Sequence, residues 1–312
     1  MQTELFGTAH TGEPVNYIDG LGIPYMGSKR AIALKIVRVL HHLKPQAEYF
    51  YDLFGGGGSI TAAAVQFGYK VIYNEYNTAI CNLFKRCCDK TPFPKKWYEW
   101  VSREQFFECL KHDDEYSAMV KSVYSFGNNG QDYLFNKDIE NTKRLMHECV
   151  VNEDEDACRQ LQKQLNIPLI IYHGGTVKQR RLAFMSQVKR FTKEHWRLEQ
   201  LERLEQLQQL QQLQQLEQIY NLSYEQVPIT TPPEKTIIYL DPPYRGTEKY
   251  SNGGFDHNAL DEWFRNCPYS CYMSEYTAPH KEVWRVQKRG LLCKQERSSG
   301  QLKTERLYWN GK

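Results

Sequence analysis

Residues 48–67 have the sequence EYFYDLFGGGGSITAAAVQF, in which an aromatic segment meets four glycines and then an apolar run. The segment Glu48 to Phe54 is short and rich in aromatic side chains, which is typical of a buried strand. Ser59 is a favourable N-cap residue, and the apolar run Ile60 to Phe67 predicts a helix that ends at Gly68. The order strand, glycine loop, helix indicates one unit of a parallel, helix-covered α/β sheet.

The same alternation continues around this stretch and returns near the end of the chain. Because strands and helices alternate in both places, we expect one α/β domain built from two flanks, residues 20–90 and 231–312. The further elements predicted from apolar patterning are helices at 31–43, 77–88 and 258–266 and strands at 70–74, 236–240, 269–274 and 304–309.

The residues between the flanks, 91–230, are polar and contain few strand-like runs, so we expect a mostly helical insertion. Within it, residues 198–219 carry an apolar side chain at every third position, from Leu198 to Ile219. Such a stripe drifts by about 60° per leucine round a regular helix and is not a heptad, which argues against a coiled coil. Because Leu, Gln and Glu favour helix, we interpret the segment as a helical, repeat-expanded spacer.

Composition excludes several classes of protein. The chain has 312 residues, of which 41% are hydrophobic and 25% charged, so it is globular and not disordered. Its nine cysteines include no CxxC pair, which argues for reduced thiols and against a zinc site. No apolar run approaches the ~20 residues of a membrane span, and we see no signal peptide. We therefore expect a cytoplasmic protein without membrane contact. The net charge of +3 neither requires nor excludes binding to nucleic acid.

The glycine loop predicts a ligand site. Four glycines before a helix expose backbone N–H groups at one point, where a ligand can touch the main chain. Glu75 follows the next strand, roughly 20 residues after the loop, a spacing at which a carboxylate can accept both ribose hydroxyls. A packing turn is the alternative for the loop alone, but with Glu75 a nucleoside-type ligand is favoured. The chain has no GxxxxGK[ST], which argues against a P-loop.

A second motif, Asp241-Pro242-Pro243-Tyr244, follows the apolar strand at 236–240. The two prolines fix the backbone and remove two N–H donors. What remains is the Asp241 carboxylate, the Pro242 carbonyl and the aromatic face of Tyr244. Acceptors beside a flat ring suit the exocyclic amino group of a planar base, whereas the structural alternative is a proline-stiffened strand exit.

Two segments of the insertion are candidates for nucleic-acid contact. Residues 178–197 contain seven Lys or Arg among three aromatic residues and one acid, which predicts phosphate contacts, although a solvated helix face is the alternative. The loop at 125–132 contains Asn128 and Asn129, and asparagine can bind adenine edges. The basic residues expected at phosphates are Lys178, Arg180, Arg181, Lys189 and Arg190.

Three motifs in order, PYMGSKR at 24–30, DLFGGG at 52–57 and DPPY at 241–244, resemble the Dam-type adenine-N6 DNA methyltransferases. The likeness covers the two flanks, and the middle matches only in position, where that family inserts its target recognition domain. It implies a Rossmann-like S-adenosylmethionine-dependent methyltransferase fold, with a mostly parallel seven-stranded sheet, one reversed strand and a mostly helical inserted domain. The basic-aromatic hairpin of the GATC-reading members is not found, so GATC is not the expected target.

The resemblance also implies roles for single residues. One group would hold S-adenosylmethionine, with Tyr25 and Lys29 enclosing it, Asp52, Phe54 and Gly55 along its amino-acid and sulfonium end, Glu75 at the ribose, and Asp241 beside it. A second group, Asp241, Pro242 and Tyr244, would hold an adenine flipped out of the duplex. The exit at 274–276 lines the base pocket or is structural.

The expected reaction is methyl transfer to adenine N6 in double-stranded DNA, with S-adenosylhomocysteine as product. Hydrogen bonds from N6–H to Asp241 and to the Pro242 carbonyl would localise the nitrogen lone pair. The leaving group is a neutral thioether, so no metal is expected. The alternatives are an N4-cytosine DNA methyltransferase, which Asp instead of Ser at 241 disfavours, an RNA adenine methyltransferase, and a catalytically silent DNA-binding homologue. A cognate restriction endonuclease is a possible partner, and phage or chromosomal origin stays open.

Overall fold

The computed structural model describes residues 18, 20–24, 27–192, 196–213, 216–245, 254–288 and 303–312. These form two compact units. The sheet unit comprises residues 29–77 and 213–312, with residues 18, 20 and 21, and the helical unit comprises residues 78–212, with residues 22–24, 27 and 28. Each unit is compact although it is assembled from separate stretches of the chain.

The sheet unit is built on seven strands, in chain order β1 Tyr49–Asp52, β2 Lys70–Asn74, β3 Leu216–Tyr220, β4 Thr236–Leu240, β5 Ser270–Glu275, β6 Lys281–Lys288 and β7 Lys303–Trp309. Their spatial order is β3-β2-β1-β4-β5-β7-β6. Neighbours from β3 to β5 are parallel, whereas β7 runs antiparallel to both β5 and β6. The expected Rossmann-like α/β fold with one reversed strand is thus confirmed.

Three of the α-helices in the described residues pack on the two faces of this sheet. The α-helices of the described residues are α1 Ala33–Leu43, α2 Ser59–Gln66, α3 Thr78–Cys88, α4 Arg103–Cys109, α5 Glu115–Tyr124, α6 Lys137–Val151, α7 Glu155–Leu165, α8 Val177–Phe191, α9 Glu199–Gln209 and α10 His257–Asn266. On one face α1 and α2 pack around Phe50, and on the other α10 packs near Tyr51. Successive residues of a strand point to opposite faces, which explains why these aromatic neighbours serve two cores.

The start of α2 differs from the prediction. The N-cap is Gly58, whose φ of 72° favours glycine, and it offers no side chain to the helix, so the predicted capping role of Ser59 is wrong. The Asp52 carboxylate at the end of β1 supplies the missing acceptor instead. Its Oδ2 accepts the Thr61 backbone N–H at 3.1 Å and the Thr61 hydroxyl at 2.7 Å.

The helical unit contains α3 to α9, as expected of the insertion. Its leucines at period three are buried, and Leu201, Leu204, Leu207 and Leu210 are each at most 1% exposed. The interpretation as a spacer is therefore wrong. Within α9 the stripe drifts by only about 120°, which one broad apolar face accommodates. The chain then enters a 3₁₀ helix at Leu210–Gln212, where three residues make one full turn and the leucines stay aligned.

The last part of the leucine-rich segment is a strand and not a helix. β3 pairs in parallel with β2 and forms one edge of the sheet, so it belongs to the sheet unit. The division of the chain accordingly falls at 77/78 and 212/213, which differs from the expected boundaries at 91 and 230. Low-complexity composition hides this boundary, because leucine and glutamine continue through helix, 3₁₀ turn and strand alike. No helix in the described ranges combines the length and the apolar character that crossing a bilayer requires.

Candidate active site

The two motif-bearing strands are neighbours. β1 and β4 pair in parallel, with Asp52 opposite Tyr239, so the glycine loop after β1 and the Asp241 motif after β4 leave the same edge of the sheet. From β1 the chain builds the sheet outward through β2 and β3, and from β4 it builds in the other direction. Ligands of open α/β sheets bind at such a topological switch point, beyond the carboxyl ends of the strands.

Lys29 lies at the centre of the Asp241 motif. Its Nζ is 2.7 Å from Asp241 Oδ1, 3.7 Å from Glu305 Oε1 and 4.6 Å from the centroid of the Tyr244 ring. Lys29 is only 5% exposed, and burial alone would lower its pKa. The carboxylates of Asp241 and Glu305 outweigh burial and raise the pKa of Lys29, so the ammonium stays charged. The resemblance associated Lys29 with the cofactor alone, whereas its contacts lie at the motif expected to bind the base.

Tyr244 is held in place from two sides. Its hydroxyl donates a hydrogen bond to Glu305 Oε1 on β7. The Tyr276 ring, just after β5, meets it edge to face, with centroids 4.6 Å apart and planes at 87°. Burial, together with Asp241 and Glu305, raises the pKa of Tyr244 well above its ordinary value. Tyr244 is therefore a neutral phenol with a fixed ring plane.

Glu305 is the site residue that sequence reasoning missed. It lies in the alternating stretch TERLYW, predicted as a strand, and shares the buried face of β7 with Leu307. Side chains two positions apart on a strand point the same way, so a carboxylate in phase with a core leucine was the available signal. Tyr276, by contrast, belongs to the strand exit at 274–276, for which the sequence allows two roles, and its ring contact places it beside Tyr244.

Asp52 carries a buried oxygen without a hydrogen bond. Oδ2 is occupied by Thr61, but Oδ1 finds no hydrogen-bond partner within the described ranges. Burial raises the pKa of Asp52 to about 7, the bonds from Thr61 oppose this, and the nearby Asp241 and Glu75 carboxylates add to it. An unpaired buried carboxylate oxygen is costly, and a cation or an N–H donor from a ligand would satisfy it.

In the described part of the chain, no group of His, Cys, Asp and Glu side chains could hold a metal ion.

Glu75 is in the position that its spacing predicted, at the glycine loop. Oε2 accepts the Gly56 backbone N–H at 2.7 Å, and Oε1 accepts that of Asn77 at 2.8 Å. Burial raises the pKa of Glu75, whereas these hydrogen bonds oppose the rise. Because a carboxylate oxygen has a second lone pair, both oxygens can still accept hydroxyl donors from a ligand.

Gly55 serves the protein's own packing. A Cβ at this position would lie 2.1 Å from Tyr73 Cε2, and the Tyr73 hydroxyl donates to the Gly56 carbonyl at 2.8 Å. The missing side chain of Gly55 therefore makes room for the Tyr73 ring, and its expected contact with a ligand stays a prediction.

Phe54 and Tyr25 are the two remaining candidates for contact with the cofactor. Phe54, half-buried, stacks on Tyr224 with centroids 5.3 Å apart and meets the edge of Phe255 at 5.8 Å. These contacts continue the apolar core on the α10 side of the sheet to the glycine loop. Tyr25 lies outside the described residues.

In the helical unit, two of the predicted phosphate contacts serve the fold instead. Arg181 is 8% exposed, and its guanidinium meets the Glu205 carboxylate in two hydrogen bonds of 2.7 and 2.9 Å. Arg180 donates to the carbonyls of Val150 and Gly175 at 2.7 and 2.9 Å. Placing Arg180 and Arg181 at DNA phosphates is thus corrected, because neighbouring elements already bind both groups. Lys178, Lys189 and Arg190 are exposed on α8.

The loop at 125–132 is closed at its base by a bridge between Ser125 and Tyr133. Asn129 is used within the loop, because its Oδ1 accepts the N–H groups of Gln131 and Asp132 at 2.8 and 3.0 Å. The expectation that Asn129 binds a base is corrected to a turn role. Asn128 has a φ of 58°, and its Oδ1 is buried with no hydrogen-bond partner in the described segments. Phe126, beside it, is 57% exposed.

The chain is similar to one known protein family over most of its length. A family model of the D12 class N6 adenine-specific DNA methyltransferase matches residues 25–266, which is well over half of the chain and includes both the glycine loop and the Asp241 motif. A comparison with curated proteins finds no match.

Proposed function

Because this chain belongs to the D12 class of N6 adenine-specific DNA methyltransferases, and so methylates adenine N6 in DNA, we propose that Asp241, Pro242 and Tyr244 form its base site and that Asp52 and Glu75 hold its methyl donor. One observation carries the proposal. The adjacent tips of β1 and β4 bring two carboxylates to the same edge of the sheet, that of Asp241 and that of Asp52, whose buried Oδ1 has no hydrogen-bond partner among the described residues.

The base site works by its acceptors. The Asp241 carboxylate and the Pro242 carbonyl accept hydrogen bonds from the two N6–H groups, and the prolines offer no competing N–H donors. These bonds localise the nitrogen lone pair, which otherwise delocalises into the ring, and direct it along one line. Tyr244, neutral and fixed by Tyr276, stacks on the base and offsets part of the few kcal/mol of unstacking. The rate enhancement comes from positioning and electrostatics.

The donor site fits S-adenosylmethionine, which the family uses. When bound, it would supply the methyl group: the N6–C bond would form as the sulfonium S–C bond breaks, and S-adenosylhomocysteine and one N6 proton would be released. Asp52 Oδ1 suits its α-ammonium, because a cation satisfies a buried carboxylate oxygen for which the described part of the chain offers no hydrogen-bond partner. Glu75 suits the ribose hydroxyls. Tyr25, Phe54, Gly55 and Lys29 are proposed to border the same ligand. Asp52, Glu75 and Asp241 together make the surroundings negative, which favours a cationic donor.

The helical unit is proposed to be the target recognition domain that binds double-stranded DNA. Lys178, Lys189 and Arg190 are exposed along α8 and suit phosphate contacts, which position a duplex without reading its sequence. Asn128 and the exposed ring of Phe126 are the proposed base contacts of the loop. The cytoplasm is the proposed location, and a cognate restriction endonuclease a proposed partner.

The test begins with the base and the site. The chain is expressed in a host without adenine methylation, and the host DNA is sequenced for modified bases, which reports the base and its sequence context together. Duplexes carrying that site then serve to compare Asp241→Ala with a control, Glu217→Ala, on the exposed edge strand β3. We expect Asp241→Ala to abolish transfer of labelled methyl while cofactor binding stays detectable, and Glu217→Ala to keep wild-type turnover. Near wild-type turnover of Asp241→Ala would refute the mechanism.

A further inference from the structure

Glu305 is a buried carboxylate beside the base site that the mechanism above does not use. It is 2% exposed, lies on the reversed strand β7, and makes contact with two groups of the site. Its Oε1 accepts the Tyr244 hydroxyl and lies 3.7 Å from the Lys29 ammonium. A buried carboxylate requires such partners, and both of these partners belong to the base site.

Among the residues that the structure describes, Lys29 is a cation shared between two carboxylates. Lys29 Nζ is 2.7 Å from Asp241 and 3.7 Å from Glu305, so Lys29, Asp241 and Glu305 together carry one net negative charge. Without the charge of Glu305, the Lys29 ammonium would neutralise Asp241 and remain bound to its Oδ1. An Asp241 carboxylate neutralised in this way would be a weaker acceptor for an amino group, and the site would no longer favour positive charge on the attacking nitrogen.

We propose that Glu305 is a positioning residue for methyl transfer, which holds the Tyr244 hydroxyl and shares Lys29 with Asp241, so that Asp241 keeps the negative charge with which it accepts the amino group of the target base. The inference rests on the proposed role of Asp241. Glu305 is thus a second carboxylate, brought to the site by the reversed strand, and it acts on the base through Lys29 and Tyr244.

Substitutions can separate the two contacts. Glu305→Gln removes the charge but retains an oxygen that accepts the Tyr244 hydroxyl. Glu305→Asp retains the charge on a shorter side chain. Tyr244→Phe removes the hydroxyl while the ring and the three charges stay. The matched control is Glu282→Gln on β6, whose carboxylate pairs with Arg285 and Arg306.

The full-length variants are assayed on duplexes that carry the site identified by sequencing, with kcat and the KM values for S-adenosylmethionine and DNA measured separately. For Glu305→Gln we expect kcat to fall at least ten-fold while both KM values stay within three-fold. We expect the kcat of Glu305→Asp to be at least five-fold higher than that of Glu305→Gln. Glu282→Gln should keep the wild-type kcat. A merely structural role of Glu305 would not confine the loss to kcat or follow the charge.

Two results overturn the inference: a kcat of Glu305→Gln within two-fold of wild type, or a Glu305→Asp variant no faster than Glu305→Gln. If Glu305→Gln does not fold, Glu305→Asp and Glu305→Asn make the same comparison of charge at equal size. The proposed function fails separately, through an active Asp241→Ala. An inactive Asp241→Ala with a normal Glu305→Gln removes only the inference.

Discussion

One oxygen of the Asp52 carboxylate accepts both the backbone N–H of Thr61, at 3.1 Å, and the Thr61 hydroxyl, at 2.7 Å. The same carboxylate therefore caps α2, and its other oxygen is buried without a hydrogen-bond partner among the described residues. A neutral acid can do the first task, but binding a cationic ligand requires the ionised form. The pKa of about 7 places the change between the two forms near neutrality.

We predict that Asp52 makes the ligand-free protein less stable as the pH rises. The folded-state pKa, about 7, lies above the ordinary value of 3.8, so between these values the unfolded chain binds fewer protons than the folded chain. The free energy of unfolding falls through this window, by at most roughly 4 kcal/mol, and stays low above pH 7. Urea unfolding at pH 5 and pH 8 should show the part of this loss between pH 5 and about 7, roughly 3 kcal/mol for the wild type, and a much smaller loss for Asp52→Asn. An equal loss in both proteins would contradict the assignment.

A methyl group at Gly55 should disrupt the glycine loop. Gly55→Ala places a Cβ against the Tyr73 ring, whose hydroxyl is bonded to the Gly56 carbonyl, so neither side can yield freely. We expect a loss of about 1–3 kcal/mol in the free energy of unfolding, the usual cost of overpacking, together with weaker cofactor binding. Gly254→Ala is the control, because a Cβ there meets nothing within 4 Å. Equal stability of the two variants would show that Tyr73 moves aside easily.

The period-three leucines should behave as core residues. Leu207 is fully buried in α9, so Leu207→Ala is expected to lower the free energy of unfolding by about 2–5 kcal/mol. Leu182 on α8 is largely exposed, and Leu182→Ala should change it by less than about 0.5 kcal/mol. Chemical unfolding followed by circular dichroism measures both. If the leucine-rich segment were a spacer, both substitutions would change the free energy of unfolding by the same small amount.

The exposed and the paired basic residues of α8 should differ in DNA binding. If Lys189 and Arg190 each contact one phosphate, the variant Lys189→Gln/Arg190→Gln binds duplex DNA more weakly and flattens the plot of log K against log salt by about 1.8. Arg181→Gln should leave that slope unchanged and reduce stability, because it leaves Glu205 without its partner. Fluorescence anisotropy over a salt series gives the slopes. A slope change for Arg181→Gln alone would reverse the assignment.

The elements predicted well are those that local pattern specifies. β2 and β4 have the predicted limits, 70–74 and 236–240, because each is centred on β-branched and aromatic residues, VIY at 71–73 and IIY at 237–239. β3 and β6 were not predicted. β3 lies within a low-complexity run, and its burial shows no clean alternation, since it is an edge strand in contact with solvent. Strand formation there depends on pairing with β2, which is a long-range contact.

Sequence alone therefore determined the α/β fold class, the family and the acids at the strand ends, since residue type, spacing and periodicity act over short distances along the chain. Only the tertiary structure decided the partners. Lys29 meets Asp241 across 212 positions of sequence, Glu305 reaches Tyr244 from a reversed strand, and Arg181 is occupied by Glu205. The physical reason is that a charged side chain in water has no particular partner, and it acquires partners when packing removes the water and brings specific groups within reach.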